Sequence, residues 1–180
     1  PRLDVNRLGV ALTDASTIFL SLAASSKLAL PLLTGSGAEI LLDLHDYDGE
    51  NPWYDDFISC ADVIQLSDVA LGNPGPVVER LLKGRARQVV LTKGANGAEI
   101  ITQEGCTHIP ACPAEIRDSN GAGDAFSVAL WHAQGLGMTL EESGRFAAAA
   151  AAFAIEGYAL FPRSVTTQEI SRRANLVLLQ

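Results

Sequence analysis

The sequence predicts an α/β fold: a mostly parallel sheet with helices on both faces and a C-terminal β-hairpin. Three observations predict it. Short β-branched runs alternate with helical stretches through the first half of the chain. Runs such as Ile40-Leu41-Leu42 are continuously apolar, the pattern of a strand buried on both faces. A tight Gly94-Ala95-Asn96-Gly97 turn then separates two further strand-like segments.

The elements follow in order. Residues 17–22 are apolar and β-branched and predict the first strand. A helical stretch carries Leu28, Leu30, Leu32 and Leu33, with Pro31 interrupting or bounding it. After the Gly35-Ser36-Gly37 turn, residues 39–44 predict the second strand. Residues 46–52 are polar, with Gly49 and Pro52, and predict a loop; 53–60 suit a short helix, and 62–66 a third strand. The Asn73-Pro74-Gly75-Pro76 turn starts a helix over 76–83 that stops before Gly84. Residues 88–92 and 98–102 flank the tight turn as strands, and 107–117 read as strand or loop. The last third is helical. It comprises a helix over 122–134 and another opened by Thr139-Leu140-Glu141-Glu142, a capping-box pattern. Six consecutive alanines, Ala147 to Ala152, let that second helix approach a neighbour closely, and plain packing explains them better than a flat ligand does.

With 180 residues, no internal repeat and no linker, residues 1–180 read as a single α/β domain. Hydrophobic residues at 48% against 19% charged exclude a disordered chain. A net charge of -8, with 13 basic residues, argues against a nucleic-acid partner. It does not exclude a phosphate ligand, because backbone N–H groups bind anions without basic side chains. Cys60, Cys106 and Cys112 make no CxxC pair, so reduced thiols are expected and no metal site is assigned. No apolar stretch is long enough to span a bilayer and no signal peptide is evident, so no membrane partner is expected and the cytoplasm is the expected location. The chain opens at Pro1 rather than Met, as a fragment or processed product would.

The chemistry is concentrated in Asp118-Ser119-Asn120-Gly121-Ala122-Gly123-Asp124-Ala125-Phe126. The stretch opens an apolar helix. Gly121 and Gly123 let the backbone turn and a ligand come close. The N–H groups of a helix's first turn lack intrahelical partners, and the macrodipole adds about half a positive charge there. Together these make an anion site. Asp124, in the same turn, is placed to take a proton from a substrate hydroxyl. Taken alone, the same pattern is equally a plain helix start.

Residues 118–130 resemble the second signature of the ribokinase/PfkB carbohydrate kinases, whose core reads D-T-x-G-A-G-D-x-F. The Gly-Ala-Gly-Asp core and Phe126 are intact, and Ser119 keeps the hydroxyl of the family's Thr. Thr92-Lys93-Gly94 fits the family's upstream T-x-G turn. The resemblance covers the chain from about Thr17 onward and implies a ribokinase-like fold. It implies an ATP-dependent phosphotransferase acting on a hydroxyl of a sugar, sugar derivative or nucleoside. Asp124 would be the base, and the N–H groups of Gly121, Ala122 and Gly123 the anion hole. Thr92, Gly94 and Gly97 would lie near the nucleotide. Asp118, Ser119 and the 157–164 loop would help hold a monovalent cation such as K⁺. Mg²⁺ would accompany ATP, and Asp43 would face the substrate. Homodimers are a further implication, since lid strands often pair subunits in similar kinases.

This chain also departs from the family. Ser67 and Ala70 stand where an N-x-x-E motif tied to magnesium and phosphate is usual, with Asp68 nearby. Ala148 replaces a frequent Asn, and His45 stands where related sugar kinases carry the Asn of D-x-N-x-R. The family's N-terminal substrate and lid region, with its Gly-Gly motif, is not found. These departures motivate an alternative, a catalytically impaired nucleotide- or metabolite-binding regulatory module of the same fold. An NAD-dependent enzyme lacks support, because no G-x-G-x-x-G follows the first strand. His45, His108 and His132 show no ligand spacing, and Asp43, Asp46 and Asp48 lack the Glu that would complete a calcium loop. A solvated acidic loop is the reading there. Lys93 suits either a phosphate contact or an ordinary turn.

Overall fold

The computed structural model of the protein describes residues 4–157 and 164–176. In chain order the elements are α1 (Val5–Leu12), β1 (Thr17–Leu20), α2 (Ala24–Lys27), α3 (Leu30–Leu33), β2 (Glu39–Asp43), α4 (Asp55–Cys60), β3 (Val63–Ser67), α5 (Pro74–Lys83), β4 (Gln88–Thr92), β5 (Ala98–Thr102), β6 (Gly105–Ile109), α6 (Ala122–Gly135), α7 (Leu140–Ile155) and α8 (Thr167–Leu176). Six strands form one mostly parallel, mixed sheet in the order β1-β2-β3-β4-β5-β6. β1 pairs with β2 in parallel, Ile18 opposite Ile40, and β2 with β3, Leu42 opposite Ile64. Only Gln103 and Glu104 join β5 to β6, a connection that permits an antiparallel pair alone.

The chain divides into two compact units. One takes the chain up to Leu91 together with Ile101–Glu104; the other takes Thr92–Ile100 and the chain from Gly105 on.

In the first unit, alternate strand residues Leu20, Ile40, Leu42, Ile64, Leu66, Val89 and Leu91 share a core with Leu30, Leu33, Phe57, Cys60, Val78 and Leu81 of the helices. Leu41, Val63 and Val90, which point the other way, are also buried. That is why these strands read as unbroken apolar runs. The segment expected as one helix around Leu28–Leu33 is two single turns, α2 and α3, with Pro31 in the opening turn of α3, where its missing N–H costs nothing. α5 starts two residues before the expected Pro76: Asn73 caps it, accepting the Gly75 N–H at 3.3 Å, and Pro74 takes the first helical position.

The second unit is dominated by α6, α7 and α8. Thr139 and Glu142 form the reciprocal capping box that the sequence predicts. Ala147, Ala148, Ala149, Ala150, Ala152 and Ala154 of α7 are buried. Gly144, on the same helix, lies so close to β6 that a Cβ there would stand 2.3 Å from Ile109 Cδ1. Small residues on α7 therefore serve close packing. α8 is held by Arg173. Its guanidinium donates to both Glu156 oxygens at 2.7 and 2.6 Å and to the Pro113 carbonyl at 2.6 Å, while lying 4.6 Å from the Phe153 ring centre.

Candidate active site

The irregular stretch after β6 brings the chain to the start of α6. The N–H groups of Arg117 and Asp118 both donate to the Ile155 carbonyl, at 2.8 and 3.2 Å, and so tie this loop to the end of α7. Asp118 Oδ1 accepts the Asn120 N–H at 3.0 Å, an Asx turn that aims the chain at the helix. Gly121 then takes φ 77°, a left-handed conformation that disfavours a side chain, and caps α6 without a side-chain hydrogen bond. The Ala122 N–H makes a long bond, 3.3 Å, to the Ser119 carbonyl, and the helix ladder begins with Ala125 N–H to Gly121 at 2.9 Å.

α6 has 14 residues, with Asp124 in its first turn. Ala125 and Phe126 are buried at 9% and 5% exposure, while Asp124 is exposed. The buried pair fixes the turn, and the carboxylate is left in solvent at the positive end of the helix. An exposed carboxylate and the positive end of a helix thus share one turn. That pairing suits transfer of an anionic group onto a hydroxyl.

The upstream turn belongs to the same unit. Thr92 ends β4 half-buried. The Lys93 N–H donates to Gly97 at 2.8 Å and the Gly97 N–H to Gly94 at 3.1 Å, closing a tight loop. Gly97 has φ 83°, and a Cβ on it would stand 2.0 Å from the Ile109 carbonyl oxygen. Lys93 pairs with Glu99 at 2.5 Å.

Asp43 lies in the first unit, at the end of β2. Its Oδ1 accepts the His45 N–H and its Oδ2 the Gln65 side-chain amide, both at 2.8 Å. Ser67, at the end of β3, accepts the Val69 N–H at 3.2 Å, and Ala70 is exposed. Ala148 is buried.

Two arginine anchors have no counterpart in the sequence reading. Arg80 of α5 donates to the Tyr47 hydroxyl at 2.8 Å and to the Gly49 carbonyl at 2.7 Å. Residues 46–51 form the expected loop and Asp46 and Asp48 are exposed, while fully buried Tyr47 anchors the loop from beneath. Backbone N–H groups of Glu50 and Asn51 hold the Asp48 carboxyl below the usual carboxylate range. Arg173 is the second anchor. A lone arginine 31 residues from Gly49 or 17 from Glu156 carries no local signal of its partner. The expected cation loop over 157–164 falls largely on residues 158–163, outside the described residues.

Among the described residues no group of three or more His, Cys, Asp or Glu is arranged to hold a metal ion. The donor set at the start of α6 fits the phosphates of a nucleotide. After β3, Ser67 and Ala70 offer no carboxylate and Asp68 offers one, which does not amount to a protein cage for magnesium.

The sequence pattern of the pfkB family carbohydrate kinases matches residues 64–160. The chain belongs to that family. This kinase-family chain is 36% identical over 118 residues to acarbose 7(IV)-phosphotransferase of Actinoplanes, covering 62% of this chain and 39% of that protein. It superposes on the microbiome-derived acarbose kinase Mak1 with a TM-score of 0.86 at 26% identity, covering 96% of this chain and 60% of the other. On Arabidopsis thaliana ribokinase complexed with ribose and ATP the TM-score is 0.80 at 20% identity, covering 97% and 60%. A Burkholderia thailandensis nucleoside kinase in complex with ADP-inosine gives 0.76 at 22% identity, covering 93% and 55%. The ribokinase-like fold is thus established. The chain spans 39% of the first curated relative's length and 60% of the first two solved structures.

Proposed function

We propose that this chain carries the transfer machinery of an ATP-dependent kinase that phosphorylates a hydroxyl of a sugar, sugar derivative or nucleoside. One observation carries the reading: Asp124 stands exposed in the first turn of α6, where left-handed Gly121 opens the helix. Asp124 accepts the proton of the attacking hydroxyl. The N–H groups of Gly121, Ala122 and Gly123 receive the oxygens of the group in transfer; the Ala122 N–H exchanges its 3.3 Å bond to Ser119 for a phosphate oxygen. ATP, when bound, supplies the phosphoryl group. Thr92, Gly94 and Gly97 contribute to its binding, and Gly97 keeps that turn tight against residues 109–111. Magnesium would be held mainly by the triphosphate itself, since Asp68 is the one carboxylate among residues 67–70. Asp118 and Ser119 are assigned to a monovalent cation, and Asp43 to the substrate side.

The names of the relatives favour a sugar-like acceptor, and, being those of kinases, they lend the regulatory-module reading no support. The decisive experiment measures ADP formation by the full-length gene product with acarbose, ribose and inosine. Asp124→Asn should lower kcat about 10²- to 10⁴-fold. Unchanged turnover in that variant would remove Asp124 from the mechanism.

A further inference from the structure

We propose that the cavity between α7 and α8 binds a small zwitterion, an α-amino acid of about six to eight heavy atoms, and that α8 couples this site to the start of α6. The site itself goes beyond the reading above; the coupling rests on that reading, because it acts on the same turn.

The cavity has a volume of about 140 Å³. One of about 150 Å³ is enough to hold benzene, which sets the size of ligand. Met138, Phe146 and Ala174 give it an apolar lining, and the last two are buried. Glu142, Arg145, Ser171 and Asn175 supply its polar groups. Arg145 decides the chemistry. Its Nη1 donates to Glu141, one turn back on α7. Such a pair needs only an exposed arginine, yet this side chain is 13% exposed. Its Nε and Nη2 donate no hydrogen bond among the described residues. A guanidinium so far out of water gains from an acceptor for those donors, and the fork they form fits a carboxylate. Glu142 supplies the opposite charge. Its Oε2 accepts the Thr139 N–H at 2.9 Å and the Thr139 hydroxyl at 2.8 Å, while its Oε1 accepts none among the described residues. An anion alone would be repelled by Glu142 and a cation alone by Arg145. A molecule carrying both charges satisfies both, with a short apolar side chain against Met138 and Phe146.

α8 joins the cavity to the candidate active site. Ser171 and Ala174, which line the cavity, flank Arg173 on that helix. Arg173 grips Glu156 and the Pro113 carbonyl, and its Nε donates to Cys112 Sγ at 3.3 Å. Glu156 follows Ile155, whose carbonyl accepts the Arg117 and Asp118 N–H groups just before Gly121 opens α6. Arg173 therefore holds the stretch 113–118 directly at Pro113 and through Glu156 near its far end. A ligand that favours one seating of α8 against α7 shifts that hold, and affinity at the two sites becomes linked.

The test uses the full-length protein, titrated calorimetrically with L-alanine and L-serine. Propionate and ethylamine, each lacking one of alanine's charged groups, are the controls and should not bind. Arg145→Lys keeps the pair with Glu141 but loses the planar fork, and should weaken the amino acids about tenfold. Ala174→Leu, which fills the cavity, should remove binding; should that variant fail to fold, Arg145→Lys carries the test. Saturating alanine should shift the ATP dissociation constant about fivefold in the wild type. No binding by the wild type, binding untouched by both variants, or propionate bound as tightly as alanine would each overturn the site. ATP affinity indifferent to alanine would overturn the coupling. Amino-acid binding without ADP formation from any acceptor would leave the site standing and remove the kinase reading; ADP formation without amino-acid binding would do the reverse.

Discussion

Gly97 and Asp124 differ in what holds them. Gly97 is demanded by sterics: a Cβ there meets the Ile109 carbonyl oxygen at 2.0 Å and the Ala111 nitrogen at 2.8 Å, both backbone atoms that cannot swing aside. Gly97→Ala should therefore destabilise the protein by about 3 kcal/mol, from overpacking and from strain at φ 83°. Urea denaturation with an unchanged m-value would measure it. Asp124 is exposed and no packing requires it. Asp124→Asn should leave the melting temperature within about 2 °C while activity collapses. The two glycine-rich turns were legible in the sequence because steric permission and helix-start chemistry are local properties. The partners of Arg80 and Arg173 were not, since a guanidinium's reach across tens of residues leaves no local trace.

At the scale of elements, α7 is the informative helix. Its alanines and Gly144 let it approach β6 closely. Gly144→Ala should cost about 1–3 kcal/mol, because Ile109 is fully buried and has little room to withdraw from the new methyl. Thr139→Ala, which dismantles the capping box, should cost about 1 kcal/mol. The docking of α8 carries a pH dependence. The guanidinium of Arg173 holds the Glu156 carboxyl below its ordinary value, while Glu156 holds the Arg173 pKa above its own. A depressed carboxylate pKa contributes stability above the unfolded value of about 4.3, and loses it as pH falls through the lower folded value. Thermal melts should therefore show a steeper loss of stability below about pH 4.3 in the wild type than in Glu156→Gln. Parallel curves would place Glu156 outside the linkage. The capping box of α7 was readable in advance, being a four-residue pattern. α1 and α8 were not read at all.

For the whole molecule, the boundary between the two compact units runs through one strand, with Ala98–Ile100 on one side and Ile101–Thr102 on the other. We propose that residues 1–180 unfold as one domain, since neither unit keeps an intact β5 without the other. A single calorimetric transition with equal calorimetric and van't Hoff enthalpies is expected; two resolved transitions would refute it. The sequence by itself determined the first five strands in chain order, the mostly parallel character of the sheet and the position of the Gly121–Asp124 turn. Each of those follows from apolar runs, propensities and turn chemistry spread over a few neighbouring residues. Only the tertiary structure decided that Arg80 anchors the loop over 46–51 through Tyr47 and Gly49, that α7 packs on β6 through Gly144, and that His45 is fixed in a left-handed conformation. Those outcomes depend on groups distant in sequence meeting in space, and burial and hydrogen-bond geometry then select conformations that local propensity alone does not.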